Sequence, residues 1–267
     1  MSAVLTDSFR NEYQQLFNTC LIAPKKFDEV DACVNKIVQA KPRYGAVSAN
    51  TGVPWYFIGI VHNMECAGNF LQHLHNGDPL TARTLHVPAG FPKTGQPPFA
   101  WEASAEDSLR LKKLNTWTDW SVPGLLFKLE EYNGFGYRRR GINSPYLWSF
   151  SNQYTKGKFT KDSFFDPAAV SKQIGAAVLL RRLSEKGLAV TGEVDVITLI
   201  KKVGAEVVFN PDVFNKQAET LQVLLNSAGQ HLRADGKAGQ NTSDAFARIS
   251  GVLLQGDPRR AAQIASV

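Results

Sequence analysis

Glu65 is the residue whose surroundings in the sequence most clearly suggest chemistry. It is the single carboxylate in residues 54–75, a stretch whose apolar positions recur at helical spacing. Ile58, Val61 and Asn69 share a helix face with it, and no Lys or Arg lies within four positions of it. A largely apolar face disfavours the charged form of a carboxyl, which suits a general acid near neutral pH. The alternative is an ordinary surface glutamate paired with a basic residue elsewhere.

A second carboxylate decides which chemistry Glu65 could support. Asp78 follows in the turn after the helix, and glycosidases use one protonated and one ionised carboxyl group. Asp78 would then position water or balance charge. The competing interpretation is a plain turn residue, because Asn-Gly-Asp-Pro favours a turn by itself. Glu102 and Asp107 are weaker candidates for the same role.

A metal site is the main chemical alternative. His62 and Glu65 are three residues apart and could share one ion, and His73, His75 and His86 follow. At a rise of about 1.5 Å per residue, however, His73 would lie ~12 Å along the helix from Glu65. The three cysteines form no CxxC pair. We therefore expect no metal and no cofactor, and a zinc peptidase is a minor alternative.

Composition and charge limit the class of partner. The 267 residues are 43% hydrophobic and carry a formal net charge of +6, which suits nucleic acid, lipid head groups or a cell-wall polymer. The N-terminus lacks the features of a secretory signal, and no apolar run approaches the roughly 20 residues needed to cross a bilayer. We expect synthesis in the cytoplasm without a signal peptide and no membrane insertion. Action at the cell wall, in the periplasm or outside the cell would require release by a route the sequence does not show.

The pattern along the chain is mainly helical. Residues 76–99 are rich in proline and glycine, with a possible strand or hairpin at 80–87, and residues 43–53 are expected to form a loop. Two short helices around a turn are expected within 213–254. The other predicted helices span residues 9–21, 27–40, 54–75, 101–114, 120–132 and 166–183, and residues 188–208 are expected to hold a short helix after Gly192 followed by an extended piece.

Residues 132–159 combine aromatic rings with Asn, Ser and basic side chains. Rings flanked by amides are typical of surfaces that bind sugars, and nucleobases stack on similar surfaces. Arg138, Arg139 and Arg140 keep a nucleic-acid site open as an alternative, and a solvated turn is the other explanation for these arginines.

Three segments together resemble the lysozyme superfamily, specifically bacterial and phage muramidases. They are IGIVHNMECAGNFLQHLHNGDPLTARTLHVPAG, LEEYNGFGYRR and SPYLWSFSNQYTKGKF. The resemblance implies a lysozyme-like α+β domain in which a helix glutamate, here Glu65, faces a cleft beside a small β element and acts as the general acid. Tyr132, Asn133 and Gly134 resemble the Tyr-Asn-x-Gly signature of lytic transglycosylases and goose-type lysozymes, whose side chains border the cleft.

The C-terminal part resembles a peptidoglycan-binding module of three short helices. The usual closing Phe-Gln of that module is replaced by Ile249 and Ser250. The pattern is carried by Leu221, Gln222, Leu225, Gly229, Leu232, Asp235, Gly236, Gly239, Thr242 and Ala245.

These observations predict a mainly α protein with a lysozyme-like domain at 1–185, a connecting segment at 186–212 and a wall-binding module at 213–267. The predicted monomer cleaves the β-1,4 bond between N-acetylmuramic acid and N-acetylglucosamine in peptidoglycan glycan strands, and nucleic acid is not expected as a partner. The alternatives are a lytic transglycosylase, a chitosanase-like glycosidase, and a non-enzymatic wall-binding or virion-structural protein. The residues expected to hold the glycan are Thr81, Tyr132, Asn133, Trp148 and Tyr154.

Overall fold

The computed structural model describes residues 3–161, 164–189 and 196–265, and helices dominate these ranges. The mainly α class is therefore confirmed. The helices are α1 (Asp7–Asn18), α2 (Phe27–Gln39), α3 (Lys41–Thr51), α4 (Trp55–Cys66), α5 (Trp101–Leu111), α6 (Val122–Asn133), α7 (Pro145–Trp148), α8 (Ala176–Glu185), α9 (Val196–Glu206), α10 (Lys216–Ser227), α11 (Gln240–Ser250) and α12 (Arg260–Ala265). None of the helices in these ranges has the length and apolar character that spanning a bilayer requires.

The small β element lies elsewhere than expected. Two short antiparallel strands, β1 (Lys158–Lys161) and β2 (Phe164–Asp166), form the one sheet in the described ranges. The predicted strand or hairpin at 80–87 is wrong, because this segment is a loop. The backbone N–H groups of Leu85 and His86 donate to the carboxylate of Asp78, so they are not available to a neighbouring strand.

Helix α4 lies at the centre of the first hydrophobic core, and nine of its twelve residues are buried. Helices α2, α3 and α8 all pack against it. Gly59 allows the close approach, since a Cβ atom there would lie 2.7 Å from the Ile37 side chain and 3.0 Å from the Tyr44 ring. The sequence thus correctly places its central helix, although not its end.

The helix predicted over 54–75 ends at Cys66 because the next two residues reverse its direction. Ala67 and Gly68 adopt left-handed backbone angles, with φ of 51° and 72°, and the N–H of Gly68 donates to the carbonyl of His62. Residues 69–75 are then free to fold back beside α4. The chain therefore turns nine residues before residue 75, where the predicted helix ends.

The loop predicted at 43–53 is also wrong, because α3 occupies it. Pro42 lies in the first turn of α3, where a proline needs no hydrogen-bonded N–H, rather than marking the end of α2. Tyr44, Val47 and Thr51 are buried at helical spacing against the core, and Gly52 ends the helix with φ of 72°.

The helix predicted over 166–183 begins ten residues late, at Ala176. Asp166 belongs to β2, and its carboxylate accepts hydrogen bonds from the N–H groups of Ala168 and Ala169, so it closes a turn after the strand. The residue just before the helix is Gly175. A side chain would not fit there, because a Cβ atom would lie 2.2 Å from the carbonyl oxygen of Leu147. Backbone contact between α7 and the start of α8 therefore fixes this boundary.

A second hydrophobic core is built from α9, α10 and α11. Part of the predicted connecting segment, residues 196–206, forms α9 and contributes Ile200 to this core; residues 190–195 lie outside the described residues. The buried amide of Gln222 organises the turn between α10 and α11. Its Nε2 donates to Thr242 Oγ1 at 3.0 Å and to the Lys237 carbonyl at 3.1 Å, and its Oε1 accepts from the Gly236 N–H at 2.8 Å.

Candidate functional site

Glu65 lies in the last turn of α4, and its side chain is exposed. The expectation of a largely apolar surrounding is thus wrong: Met64 and Cys66 on either side are buried, but Glu65 lies on the outward face of this last turn. The Tyr146 hydroxyl donates a hydrogen bond to Glu65 Oε1 over 2.6 Å. Within the described residues, Oε2 has no hydrogen-bond partner and the carboxylate forms no ion pair. One oxygen is therefore fixed while the other remains open to solvent or a ligand.

The open side of Glu65 faces a polar groove, which we call the Glu65 groove. Its volume of about 510 Å³ falls in the range of small-molecule sites. Gln173 donates to the carbonyl of Met64 at 2.9 Å, which ties the segment before α8 to the end of α4. Amide, carboxylate and ammonium groups in the wall suit a ligand rich in hydroxyl and amide groups. These polar lining residues are Glu29, Asn63, Glu65, Gln72, Lys172 and Gln173.

Two tyrosines stand on the inner side of Glu65. Burial, followed by the charge of Glu65, raises the pKa of Tyr146 well above its ordinary value. Burial and the charges of Glu65 and Glu131 also raise the pKa of Tyr132 well above its ordinary value. The Tyr132 hydroxyl is buried and has no hydrogen-bond partner among the described residues. Both phenols therefore stay protonated at neutral pH. Among the predicted glycan-holding residues, Tyr132 does lie near Glu65. Its ring, however, packs against the first hydrophobic core and is not open to a sugar.

Asp78 is committed to its own loop. Its Oδ1 contacts Nδ1 of His86 at 2.6 Å, and its Oδ2 accepts from the backbone N–H groups of Leu85 at 2.7 Å and His86 at 2.9 Å. These contacts, led by the His86 ring, hold the pKa of Asp78 well below its ordinary value. Asp78 is not among the residues that line the Glu65 groove. The structure therefore does not pair Asp78 with Glu65 as the sequence suggests.

The other predicted glycan-holding residues are dispersed. Thr81 and Asn133 are exposed, in the 76–99 loop and at the end of α6 respectively. Trp148 and Tyr154 are only 2% and 8% exposed and belong to the first core, so neither ring offers an open face for a sugar. The Tyr154 hydroxyl donates to the carbonyl of Gly157.

The weaker carboxylate candidates have partners of their own. Glu102 Oε1 lies 2.6 Å from Nε of Arg43, and Asp107 Oδ2 lies 3.0 Å from Nε2 of His75. Neither lines the Glu65 groove. The carboxylate that does share the groove with Glu65 is Glu29, which the sequence did not single out.

The histidines of the zinc hypothesis do not converge on one point: the rings of His73 and His75 are neighbours, with centroids 5.8 Å apart, but each has a partner of its own. His73 Nδ1 contacts the Ser104 hydroxyl at 2.6 Å, and His86 lies against Asp78. Nδ1 of His62 lies 3.0 Å from the Tyr44 hydroxyl. No group of three or more His, Cys, Asp or Glu side chains within the described residues is arranged to hold a metal ion.

His62 predicts a pH dependence of stability. It is fully buried, and burial lowers its pKa from 6.5 to about 4. Below pH 6.5 the unfolded chain therefore takes up a proton that the folded chain does not, so stability falls as the pH drops toward 4. We expect this to remove roughly 3 kcal/mol between pH 7 and pH 4. Urea unfolding at several pH values should show a correspondingly smaller decline in His62→Leu, and equal declines in both proteins would contradict the assignment.

The arginine triplet is mostly engaged within the protein. Arg138 forms ion pairs with Glu12 and Glu130 at 2.9 Å, and Arg140 lies over the Phe165 ring at 4.4 Å. Arg139 is exposed. The triplet therefore does not form an open basic surface of three side chains.

Comparisons with protein-family models, with curated proteins and with solved structures return no match to this chain. The sequence did not reveal Tyr146 beside Glu65, or Glu29 and Gln173 in the groove wall; these residues come from α7, α2 and the segment before α8.

Proposed function

We propose that the protein is a peptidoglycan glycosidase that cleaves the β-1,4 bond between N-acetylmuramic acid and N-acetylglucosamine, with Glu65 as the general acid. The observation that carries this proposal is the Glu65 carboxyl group, which Tyr146 holds through one oxygen while the other is open to an amide-lined groove. Release of soluble muropeptides from purified sacculi tests it. We also propose the lysozyme-like assignment of residues 1–185 on the sequence resemblance stated above.

In the proposed reaction the protonated Glu65 donates its proton to the glycosidic oxygen as the bond to the sugar breaks. The resulting oxocarbenium-like centre needs a nearby negative charge or nucleophile. The Tyr146 hydrogen bond restricts the rotation of the Glu65 side chain, so that Oε2 stays directed away from Tyr146. A glycan in the groove would find amide partners for its hydroxyl and N-acetyl groups in Asn63 and Gln72.

The second step distinguishes two enzymes. In a hydrolase, Glu29 would activate water or stabilise the sugar cation, because it lines the same groove as Glu65. In a lytic transglycosylase, the 6-hydroxyl of N-acetylmuramic acid attacks instead, and no second carboxylate is required. The specific observation favouring the transglycosylase is that Asp78 accepts hydrogen bonds through both oxygens within its own loop.

Glu29→Gln is expected to lower the release of reducing ends from sacculi by about 100-fold if Glu29 activates water. Its matched control is Glu131→Gln, since Glu29 and Glu131 both pair with a lysine three residues away, at 2.7 Å and 2.8 Å. Reducing-end assays on both variants provide the measurement. Unchanged solubilisation of sacculi by Glu29→Gln, with products that end in 1,6-anhydro sugars and no new reducing ends from either protein, would assign the transglycosylase.

We further propose that residues 213–267 bind glycan strands and hold the enzyme at the cell wall. The support is the match between the sequence pattern and the hydrogen bonds of Gln222, which join the Leu-Gln, Asp-Gly and Thr elements of that pattern. A non-enzymatic wall-binding protein remains the alternative of another class. Pelleting with sacculi without any soluble product would favour it.

A further inference from the structure

A second cavity lies between α1, α6 and the segment that leads into α7. Its volume is about 380 Å³, and it shares no lining residue with the Glu65 groove. Polar and charged side chains dominate its wall, and none of them has a part in the proposed reaction. Those that matter here are Glu12, Glu130, Arg138, Asn143 and Ser144.

The charge of this cavity, the Ser144 cavity, is negative. Among the described residues that line it, Arg138 is the one cation. It is already engaged, because Nη1 donates to both oxygens of Glu12 and Nε and Nη2 donate to Oε2 of Glu130. Tyr13 also donates to Oε2 of Glu130. Two carboxylates against one guanidinium leave one negative charge, and the guanidinium has little capacity left to bind an anion.

Acceptor oxygens without partners mark the same cavity. Ser144 is 2% exposed, and its hydroxyl is buried with no hydrogen-bond partner among the described residues. Within the described part of the chain, Glu130 uses only Oε2 in its hydrogen bonds, and Asn143 uses only Nδ2, which donates to the Gln153 carbonyl at 2.9 Å. A buried polar group without a partner is unfavourable, so an unpaired hydroxyl in a cavity wall points to a ligand that completes it.

We propose that the Ser144 cavity binds a primary alkylammonium group. An ammonium carries three N–H donors and no acceptor, which complements oxygens of Glu130, Asn143 and Ser144 as well as the negative charge. Phe9 and Ile142 line the cavity and supply apolar surface for the alkyl chain that bears the amine. The amine of a lysine and that of a diamino acid in a peptidoglycan stem peptide share this chemistry.

Isothermal titration calorimetry on the full chain tests the proposal. Nα-acetyl-lysine methylamide should bind saturably, whereas the norleucine analogue, which has a similar chain without the amine, should not. Ser144→Ala should weaken binding by about tenfold or more, because it removes a hydrogen bond to a charged group. Ser108→Ala is the matched control: Ser108 is also buried with an unpartnered hydroxyl, but it does not line this cavity.

Three results would overturn the proposal: equal binding of the norleucine analogue, equal affinities of the wild type and Ser144→Ala, or no binding of the lysine derivative at about 1 mM. A muropeptide with a free diamino acid amine, compared with its N-acetylated form, identifies the source of the amine. Preference for the free amine supports a stem-peptide ligand, and loss of discrimination between the two forms contradicts ammonium binding. The test does not depend on glycan cleavage, so its failure is distinguishable from failure of the proposed function.

Discussion

Glu65→Gln is expected to lower the rate of glycan cleavage in purified sacculi by about 10²- to 10⁴-fold, the usual contribution of a general acid. Glutamine keeps the shape of the side chain, and its amide oxygen can still accept the hydrogen bond from Tyr146. It cannot donate a proton of comparable acidity to the glycosidic oxygen. Release of dye from labelled sacculi measures the effect, and we expect kcat to fall while KM changes little.

Stability separates this effect from a folding defect. Glu65 is exposed, so Glu65→Gln should change the free energy of unfolding by no more than about 0.5 kcal/mol. Glu131→Gln, which removes one negative charge elsewhere on the surface, should retain the wild-type rate. A Glu65→Gln protein that is folded and cleaves glycan at the wild-type rate would exclude Glu65 as the acid.

Glu130→Gln is expected to destabilise the fold by about 3 kcal/mol or more, the usual result of breaking a buried ion pair. The Glu130 side chain is 3% exposed, and its Oε2 accepts from both Tyr13 and Arg138. With an amide in its place, the largely buried Arg138 guanidinium would keep only Glu12 as an anionic partner. Urea unfolding followed by tryptophan fluorescence provides the measurement.

The neighbouring residue supplies the control. Glu131 lies on the exposed side of α6 and pairs with Lys128 at 2.8 Å, so Glu131→Gln should cost less than about 1 kcal/mol. Burial raises the pKa of Glu130 in spite of Arg138, which shows that its charge is held at some expense. We therefore expect Glu130→Leu combined with Arg138→Met to be more stable than Glu130→Gln alone. Equal stabilities of Glu130→Gln and Glu131→Gln would contradict this interpretation.

Local sequence signals located most helices but not all of their ends. The apolar spacing around Ile58 and Val61 correctly indicated the central helix. Pro42 is equally suited to follow the end of α2 and to occupy the first turn of α3, and only the packing of Tyr44 against α4 decides between the two. The left-handed Ala67 that ends α4 carries no strong signal, because alanine ordinarily favours helix.

The candidate site was predictable only in part. Glu65 could be selected because its carboxylate stands alone in an apolar stretch, and Tyr132 because it neighbours an Asn-Gly pair. Tyr146 contacts Glu65 across 81 residues of sequence, a tertiary contact that no local pattern encodes. Asp78 is a residue that the sequence suggests and the structure does not place in the site. Its spacing from Glu65 suits a catalytic pair, but its carboxylate accepts hydrogen bonds from the backbone N–H groups of Leu85 and His86 within its own loop.

Aromatic residues posed a related difficulty. Trp148 and Tyr154 lie among Asn and Ser residues, a composition equally compatible with a sugar-binding surface and with rings that pack inward beside polar turns. The structure places both in the core: Trp148 is in α7, which packs against α8, and the Tyr154 hydroxyl accepts from the Ser171 N–H. Whether Trp148 packs inward depends on its contact with α8. That helix follows later in the chain, so the local sequence does not decide it.

Mass spectrometry of the soluble products from purified sacculi tests the central claim most directly. Wild-type protein is expected to release disaccharide peptides whose N-acetylmuramic acid carries a new reducing end or a 1,6-anhydro ring, and Glu65→Gln is expected to release neither. The type of end would also distinguish the hydrolase from the transglycosylase. Sacculi that stay intact with wild-type protein, or products freed by peptide-bond cleavage alone, would contradict the assignment of Glu65 as the acid of a glycosidase.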